Sequence, residues 1–411
     1  MLLTRLLRNR FLTGRLEIID ATGQHHVFGN DQEPRIVLRF HDRALGHRLF
    51  FAYDPGLGEA YMTGRLSIEE GDIYGLLELC AANLAAIESH WLHRCRETLE
   101  RLARRLGHFN PADRAKRNVA HHYDLSGRLY ELFLDADRQY SCAYFAQPDF
   151  SLEQAQEAKV RRLAAKLLLT PGMRVLDIGS GWGGLALHLA RESEAQVVGV
   201  TLSGEQHQVS RRRAAMAGLG DRVEFLLQDY RALEGSFDRI VSVGMFEHVG
   251  TRHYPKFFAK CRDLLTDDGV AVLHTIGRAG GPSSTSAWTR KYIFPGGYSP
   301  ALSEVVPAIE RAGLVITDVE VLRLHYAETL RAWRQRLAKN SDEVVALYDE
   351  RFLRMWEFYL SASEAMFRYG GHVVFQIQMA KNQEAVPITR AYLDEGDRQT
   401  PQASIRRSAT A

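Results

Sequence analysis

The run Val175-Leu176-Asp177-Ile178-Gly179-Ser180-Gly181-Trp182-Gly183-Gly184 constrains this chain more than any other segment. An apolar stretch enters a cluster of glycines and an amphipathic stretch follows, which predicts a buried strand, a sharp turn and a helix. Glycine turns freely there and lets a ligand approach the backbone at the carboxyl end of a sheet. The same rhythm continues in QVVGVT, RVEFLLQD, FDRIVSVGMF and GVAVLHTI, apolar runs separated by helical stretches. Such alternation predicts a parallel sheet with right-handed crossovers. LVITDVEVL and HVVFQIQMA read as two further strands. Between them, from about Glu328 to Tyr369, lies a helical stretch carrying Trp333, Tyr348, Phe352, Trp356, Phe358, Tyr359 and Phe367. Aromatics on more than one helical face suit either an apolar channel or the core of a helical lid.

The glycine turn restricts the ligand. A nicotinamide-binding unit places an acidic residue at the end of the next strand, but here that strand ends in Val200-Thr201-Leu202-Ser203. Asp177, Gln206 and Asp229 instead offer polar contacts for an adenosyl group and a methionine ammonium. Asp177 also suits a turn-stabilising carboxylate, and Asp229 a helix cap.

Upstream, RLEII, RIVLRF and RLFFAY between about Gly14 and Ile68 read as strands separated by turn signals. From Asp72 to about Leu106 the spacing of Leu76, Leu79, Cys80, Leu84, Ile87, Trp91 and Leu92 is that of one buried helix face. Asn110-Pro111 and the polar stretch to Asn118 mark the boundary. A chain of 411 residues accommodates two domains. The expected division is 1–110 for a small α+β domain and its helix, 111–395 for the main domain, and 396–411 for a disordered polar tail.

A formal net charge of +2 gives no global case for nucleic acid. The groups Arg211, Arg212, Arg213 and Arg101, Arg104, Arg105 read as solvated helix faces. Cys80, Cys95, Cys142 and Cys261 form no CxxC pair and have no histidine at zinc spacing. Neither a disulfide framework nor a metal is expected, and a reducing compartment is implied. The N-terminus is interrupted by Arg5, Arg8 and Arg10 and lacks a cleavage signature, so it does not read as a secretory signal. No apolar run is long enough to span a bilayer. Leu2, Leu3, Leu6, Leu7 and Phe11 recur at helical spacing, as in a helix on an anionic membrane surface or one packed on the first domain.

Several segments carry a family resemblance in register: AHHYDLSGRLYELFLD, YSCAYF, VLDIGSGWGGLA, GVTLSGEQ, LQDY, VSVGMFEHVG, HTIG and KYIFPGG, from His121 to Gly297. Together they resemble the cyclopropane fatty acid synthase family, and LGEAYMTG resembles the N-terminal module of its bacterial phospholipid-acting members. The resemblance implies an α/β fold: a Rossmann-like, class I S-adenosyl-L-methionine (SAM) methyltransferase domain over 111–395 with a helical lipid-binding insert. It implies methylene transfer from SAM to cis double bonds of unsaturated phospholipid chains, on a cytoplasmic enzyme attached peripherally to the inner face of the membrane. A homodimer is compatible with it.

By the same resemblance, Tyr140, Ser141, Gly179, Gly181, Gly183, Thr201, Leu202, Gln206, Asp229 and Tyr230 bind the cofactor with Asp177, and His122 and Tyr123 close over it. Cys142, Glu247, His274, Ile276 and Tyr326 are implied to hold a bicarbonate that accepts the proton released on ring closure. Taken singly, Cys142 suits a small buried hydrophobe, His274 a satisfied core histidine and Glu247 a turn. Tyr140, Tyr144, Phe246 and Tyr326 are the aromatic candidates to face developing positive charge. Two departures stand out: Ser180 occupies a position often held by Cys, and RAGGPSSTSAW matches nothing in the pattern. Enzymes that leave a methylene branch or serve furan fatty acid synthesis, and a non-catalytic lipid-binding protein, are the alternatives.

Overall fold

The computed structural model describes residues 2–7, 12–83 and 126–393. The expected domain boundary, Cys95, Leu84, Ile87, Trp91, Leu92, the Arg101 group, His122, Tyr123 and the polar tail lie outside the described residues, as do the side chains of Arg5, Arg8, Arg10 and Phe11.

A four-stranded sheet organises the first module, with β1 (Arg15–Ile19), β2 (His25–Gly29), β3 (Arg35–Phe40) and β4 (Leu66–Glu70) in the order β2-β1-β3-β4. Alternation sends Leu16, Ile18, Ile36, Leu38 and Phe40 inward. There they meet Leu76 and Leu79 of the helix Ile73–Ala82, whose first turn is capped by Asp72 accepting the Gly75 N–H at 2.6 Å. RLFFAY, expected as a strand, is instead helical: Leu45–Phe51 is one helix and Tyr53–Met62 the next. Leu45 and Leu49, four residues apart, supply the buried contact and override the β-propensity of the aromatics, leaving Phe51 in solvent. The helix Leu2–Leu7 packs Leu3, Leu6 and Leu7 into this core, so packing accounts for those three residues of the N-terminal apolar stripe; the Leu2 side chain and Phe11 lie outside the described residues.

The second unit is a seven-stranded sheet, ordered β10-β11-β9-β8-β5-β6-β7. Its strands are β5 (Arg174–Ile178), β6 (Gln196–Thr201), β7 (Val223–Leu227), β8 (Phe237–Val243), β9 (Leu265–Arg278), β10 (Val315–Leu322) and β11 (His372–Ala380). Only β5–β9 are parallel as expected; β11 runs antiparallel to both β9 and β10, so the sheet is mixed. The chain moves outward from β5 through β6 and β7, then returns to β8 and β9. A crevice therefore opens beside the carboxyl end of β5.

Between β10 and β11 the aromatic stretch forms three helices, His325–Lys339, Ser341–Leu347 and Glu350–Arg368. One face buries Trp333 and Trp356 against Tyr130 and Phe133. The first module docks on this insert and on the segment after β9. Tyr61 Oη donates to Glu357 at 2.9 Å, and the Asp54 carboxylate accepts the N–H groups of Ala287 and Trp288 at 2.8 and 2.9 Å. Trp288 lies so close over Gly58 that a Cβ there would fall 2.4 Å from its Nε1. Among the described residues no helix is long and apolar enough to cross a membrane, and no side-chain cluster has the composition of a metal site.

Candidate active site

Two cavities meet at the carboxyl edge of the sheet. The smaller, of about 160 Å³, forms around the turn after β5 and is called the glycine pocket below. Gly179 has φ +88°, and a Cβ on it would fall 2.8 Å from the Met245 Cβ, so a side chain is excluded by both backbone and space. Gly181 lines open space, whereas Gly183 does not line the pocket. Gly183 starts the helix Gly184–Ser193 at φ +86°, packed so tightly that a Cβ would sit 2.6 Å from Phe225 Cζ. Its glycine serves helix-to-sheet packing.

Tyr140, Ser141, Asp177, Gly179, Gly181, Thr201, Leu202, Gln206, Asp229 and Tyr230, named from the sequence, all line the glycine pocket. Thr201 and Gln206 are held together at 2.9 Å between hydroxyl and amide oxygen, and Ser203 caps the following helix through the Gln206 N–H. Asp229 is both a wall residue and a cap: it accepts the Arg231 N–H at 2.9 Å and pairs with the Arg231 guanidinium at 2.5 Å. Burial works to raise its carboxyl, but the Arg231 bonds outweigh it and hold the group below the usual carboxylate range. Asp177 is opposite in character. Burial pushes its carboxyl up to about 7, and its Oδ2 has no hydrogen-bond partner.

A feature the sequence did not signal underlies this pocket. The fully buried Lys159 ammonium donates to Ser141 Oγ at 3.0 Å and to Gln139 Oε1. Gln156 Nε2 donates to the carbonyls of Ser141 and Gln139 at 2.9 and 3.2 Å. Both come from the helix Leu152–Leu167, so one helix fixes the strap Gln139–Cys142 from behind. Burial draws the Lys159 ammonium down to about 8.

The strap separates the glycine pocket from a cleft of about 990 Å³, and Tyr140, Ser141, Gly244 and His248 line both. Cys142, Glu247, His274, Ile276 and Tyr326 all line this cleft. Glu247 Oε1 accepts the Ile276 N–H at 2.6 Å, which is how Ile276 enters the cluster, while Oε2 is buried with no hydrogen-bond partner. Burial pushes the Glu247 carboxyl up to about 7. His274 Nδ1 lies 3.1 Å from Gln376 Nε2 and burial keeps the ring neutral; with the Gln376 amide nitrogen donating to Nδ1, the matching tautomer carries its proton on Nε2. Burial likewise raises the Cys142 thiol well above its usual range, so it is an S–H and not a thiolate. Tyr140 and Tyr359 bring their hydroxyls to 2.8 Å.

Two aromatic candidates fall elsewhere. Phe246 is fully buried beneath the sheet edge, stacked on Tyr254 at 4.2 Å and packed on Phe257 and Phe258, because the turn that carries Glu247 into the cleft points Phe246 the other way. Tyr144 stacks on His325 at 4.9 Å with the Arg162 guanidinium over its ring, and lines neither cavity. Phe358, Tyr359 and Phe367, from the helix Glu350–Arg368, take their place in the wall. His248 and Gln228 were also missed. Adjacency to Glu247 was the available signal for His248; Gln228 had only its place beside Asp229.

The sheet order, the glycine turn after its central strand and the pocket there define a class I SAM-dependent methyltransferase fold. The chain belongs to the mycolic acid cyclopropane synthetase family, whose model matches residues 111–377. It is 39% identical over 383 residues to a "Probable fatty acid methyltransferase" of Pseudomonas putida, covering 91% of this chain and 93% of that one. It is 40% identical over 329 residues to the "Cyclopropane-fatty-acyl-phospholipid synthase" of Escherichia coli K12, covering 80% and 84%. A crystal structure of mycolic acid cyclopropane synthase CmaA1 complexed with SAH and CTAB superposes with a TM-score of 0.61 at 34% identity, covering 66% of this chain and 99% of that one. The chain is thus a SAM-dependent enzyme of fatty acid modification.

Proposed function

We propose that the chain is a cyclopropane-fatty-acyl-phospholipid synthase, with SAM in the glycine pocket, an unsaturated phospholipid chain in the cleft and bicarbonate beside Glu247. One observation carries this reading: the two cavities share a wall at Tyr140–Ser141, and a partnerless Glu247 oxygen is buried on the cleft side of it. SAM supplies an electrophilic methyl group, and bicarbonate supplies the base that takes a proton as the ring closes.

The protein's own part is to shape and dry the space. An alkene attacked by a methyl cation donor leaves positive charge on carbon, which water would capture, so the wall must be apolar. Tyr140, Tyr326, Phe358, Tyr359 and Phe367 provide that wall. Aromatic faces stabilise nearby positive charge by about 0.5–2 kcal/mol each. The donor set fits a small oxyanion. Burial that raises the Glu247 carboxyl to about 7, and a neighbouring anion that raises it further, favour the protonated acid that donates to an oxyanion. His274 Nε2 donates when Nδ1 accepts from Gln376, and the Cys142 S–H, donated to the Ala143 carbonyl at 3.2 Å, leaves an uncharged sulfur in the wall.

The first module supports a phospholipid substrate, because the CmaA1 structure covers 66% of this chain whereas the Escherichia coli cyclopropane-fatty-acyl-phospholipid synthase reaches 80%. Its residues Asp54, Leu57 and Gly58 line the cleft directly. Peripheral membrane association follows from such a substrate; we place the domain boundary near Asn110-Pro111, with the catalytic domain after it. A second reading, a fatty acid methyltransferase leaving a methylene branch, is favoured by the long match to the Pseudomonas putida relative.

The test is incubation with radiolabelled SAM and monounsaturated phospholipid vesicles, followed by fragmentation mass spectrometry of the labelled lipid. A ring is expected. A methylene branch would transfer the assignment to the second reading, and label confined to soluble acyl substrates would sink both.

A further inference from the structure

Beyond Glu247 the cleft changes from apolar to polar. β9 and β11 run together past the carboxyl edge of the sheet, pairing His274 with Gln376, Ile276 with Val374 and Arg278 with His372. Strand alternation puts His274, Ile276 and Arg278 on one face, and all three line the cleft. Four residues at ~3.3 Å each carry Arg278 about 13 Å from His274. That span is the extended length of roughly ten bonds of a lipid chain, whose zigzag advances about 1.3 Å per bond. A mid-chain double bond held at His274 therefore brings the ester and glycerol of its lipid level with the Arg278 backbone, and the phosphodiester, about three bonds further on, within reach of the Arg278 side chain.

The chemistry at this end suits an anion. Arg278 Nη2 donates to the Ser284 carbonyl at 3.2 Å, which aims the guanidinium along the wall. His372, opposite it, is held neutral by burial and by Arg278, and its Nδ1 is buried with no hydrogen-bond partner. Ser283 and Arg290 extend the same wall, Arg290 on its exposed side. Among the described lining residues the carboxylates are Asp54 and Glu247. Asp54 is committed to the N–H groups of Ala287 and Trp288, and Glu247 to the Ile276 N–H, two residues before Arg278. Arg278 and Ser283 belong to the stretch RAGGPSSTSAW, which matched no part of the family pattern; Arg290 follows it and His372 comes from β11.

We propose that Arg278 and His372, with Ser283 and Arg290 beside them, bind the phosphodiester of the lipid headgroup, so that the cleft measures the distance from headgroup to double bond. The inference rests on the phospholipid reading above and adds the site that enforces it. Guanidinium recognises phosphate through paired, charge-assisted hydrogen bonds. A fixed anchor and a fixed reacting centre then select one double-bond position by reach.

The test compares a monounsaturated phosphatidyl lipid with the diacylglycerol bearing the same chains, both dispersed in neutral detergent micelles. The intact protein is expected to act at least about tenfold faster on the phospholipid, the scale of one charge-assisted hydrogen bond. Arg278→Gln should bring the two rates within about twofold while SAM affinity, read by calorimetry, stays unchanged. Arg278→Lys should keep part of the preference, which separates a lost anchor from a lost fold. Moving the double bond along the chain should slow the intact protein steeply and Arg278→Gln only weakly. Equal rates of the intact protein on both lipids, or an Arg278→Gln defect identical on both, would overturn the headgroup site while leaving the proposed function standing. Inorganic phosphate that slows both lipids alike would assign the site to free anion and overturn it too. Methyl transfer to neither lipid would defeat the underlying function.

Discussion

The glycine pocket and the cleft share four wall residues and differ in almost everything else. Apart from the strap at Tyr140–Ser141, the pocket is assembled mainly from turns at the ends of β5, β6, β7 and β8, close to the strands that position them. Hydrogen bonds within those turns, such as Thr201 with Gln206 and Asp229 with Arg231, preset it. The cleft is gathered from the first module, the strap before the sheet, the β9–β11 ribbon and the helical insert. A small polar ligand needs fixed donors at short range. A long apolar chain needs a wide dry wall, and no single segment is large enough to make one.

If the regions are as separable as their construction, Glu247→Gln should lower turnover by about two to four orders of magnitude, with SAM affinity unchanged by calorimetry. Loss of SAM binding in step with turnover would show one coupled site. Damage on the other side is predicted for Gly183→Ala, where a left-handed backbone and the Phe225 contact should cost about 2–4 kcal/mol in denaturant unfolding. A variant as stable as its parent would refute that packing role.

The buried carboxyl of Glu247 sharpens the contrast through pH. Its folded value lies near 7 against an ordinary 4.5, so across that interval the folded state keeps a proton the unfolded chain has released. The stability this confers is full below 4.5 and declines as pH rises to 7. Relative to Glu247→Gln, the parent should lose roughly 1–3 kcal/mol between those limits, followed by thermal melts. A gap that widens toward acid in favour of Glu247→Gln would have the wrong sign. The smallest effect is expected for Asp54→Ala, at about 1–2 kcal/mol. Its readout is a slower rate on vesicles at unchanged SAM affinity, since Asp54 holds the segment Ala287–Trp288 against the cleft. A matching loss of SAM affinity would mean that the module supports the pocket as well.

Legibility followed the same divide. The glycine turn and the strands of the main sheet could be read because their signals lie within a few residues of one another, whereas most of the pocket residues named from the sequence came by family resemblance. RLFFAY was misread because its apolar residues satisfy a strand and a helix alike, and only the contact of Leu45 and Leu49 with the module core chooses between them. Phe246 and Tyr144 failed for a related reason. Their neighbours Glu247 and Cys142 do enter the cleft, but the direction of each ring depends on what lies opposite. Lys159 gave no signal, since a lysine in an amphipathic helix reads as solvent-facing until the strap is packed over it.

The amino-acid order by itself determined the alternation of strands and helices, the ligand-facing turn and the family, because glycine conformation and hydrophobic period are local properties of a chain. The packed protein alone decided that Asp54, Arg278, Tyr326 and Phe358 share one cleft, and that β11 runs against β9. Those choices rest on contacts between segments far apart in the chain, whose energies appear only when the surfaces meet and water leaves.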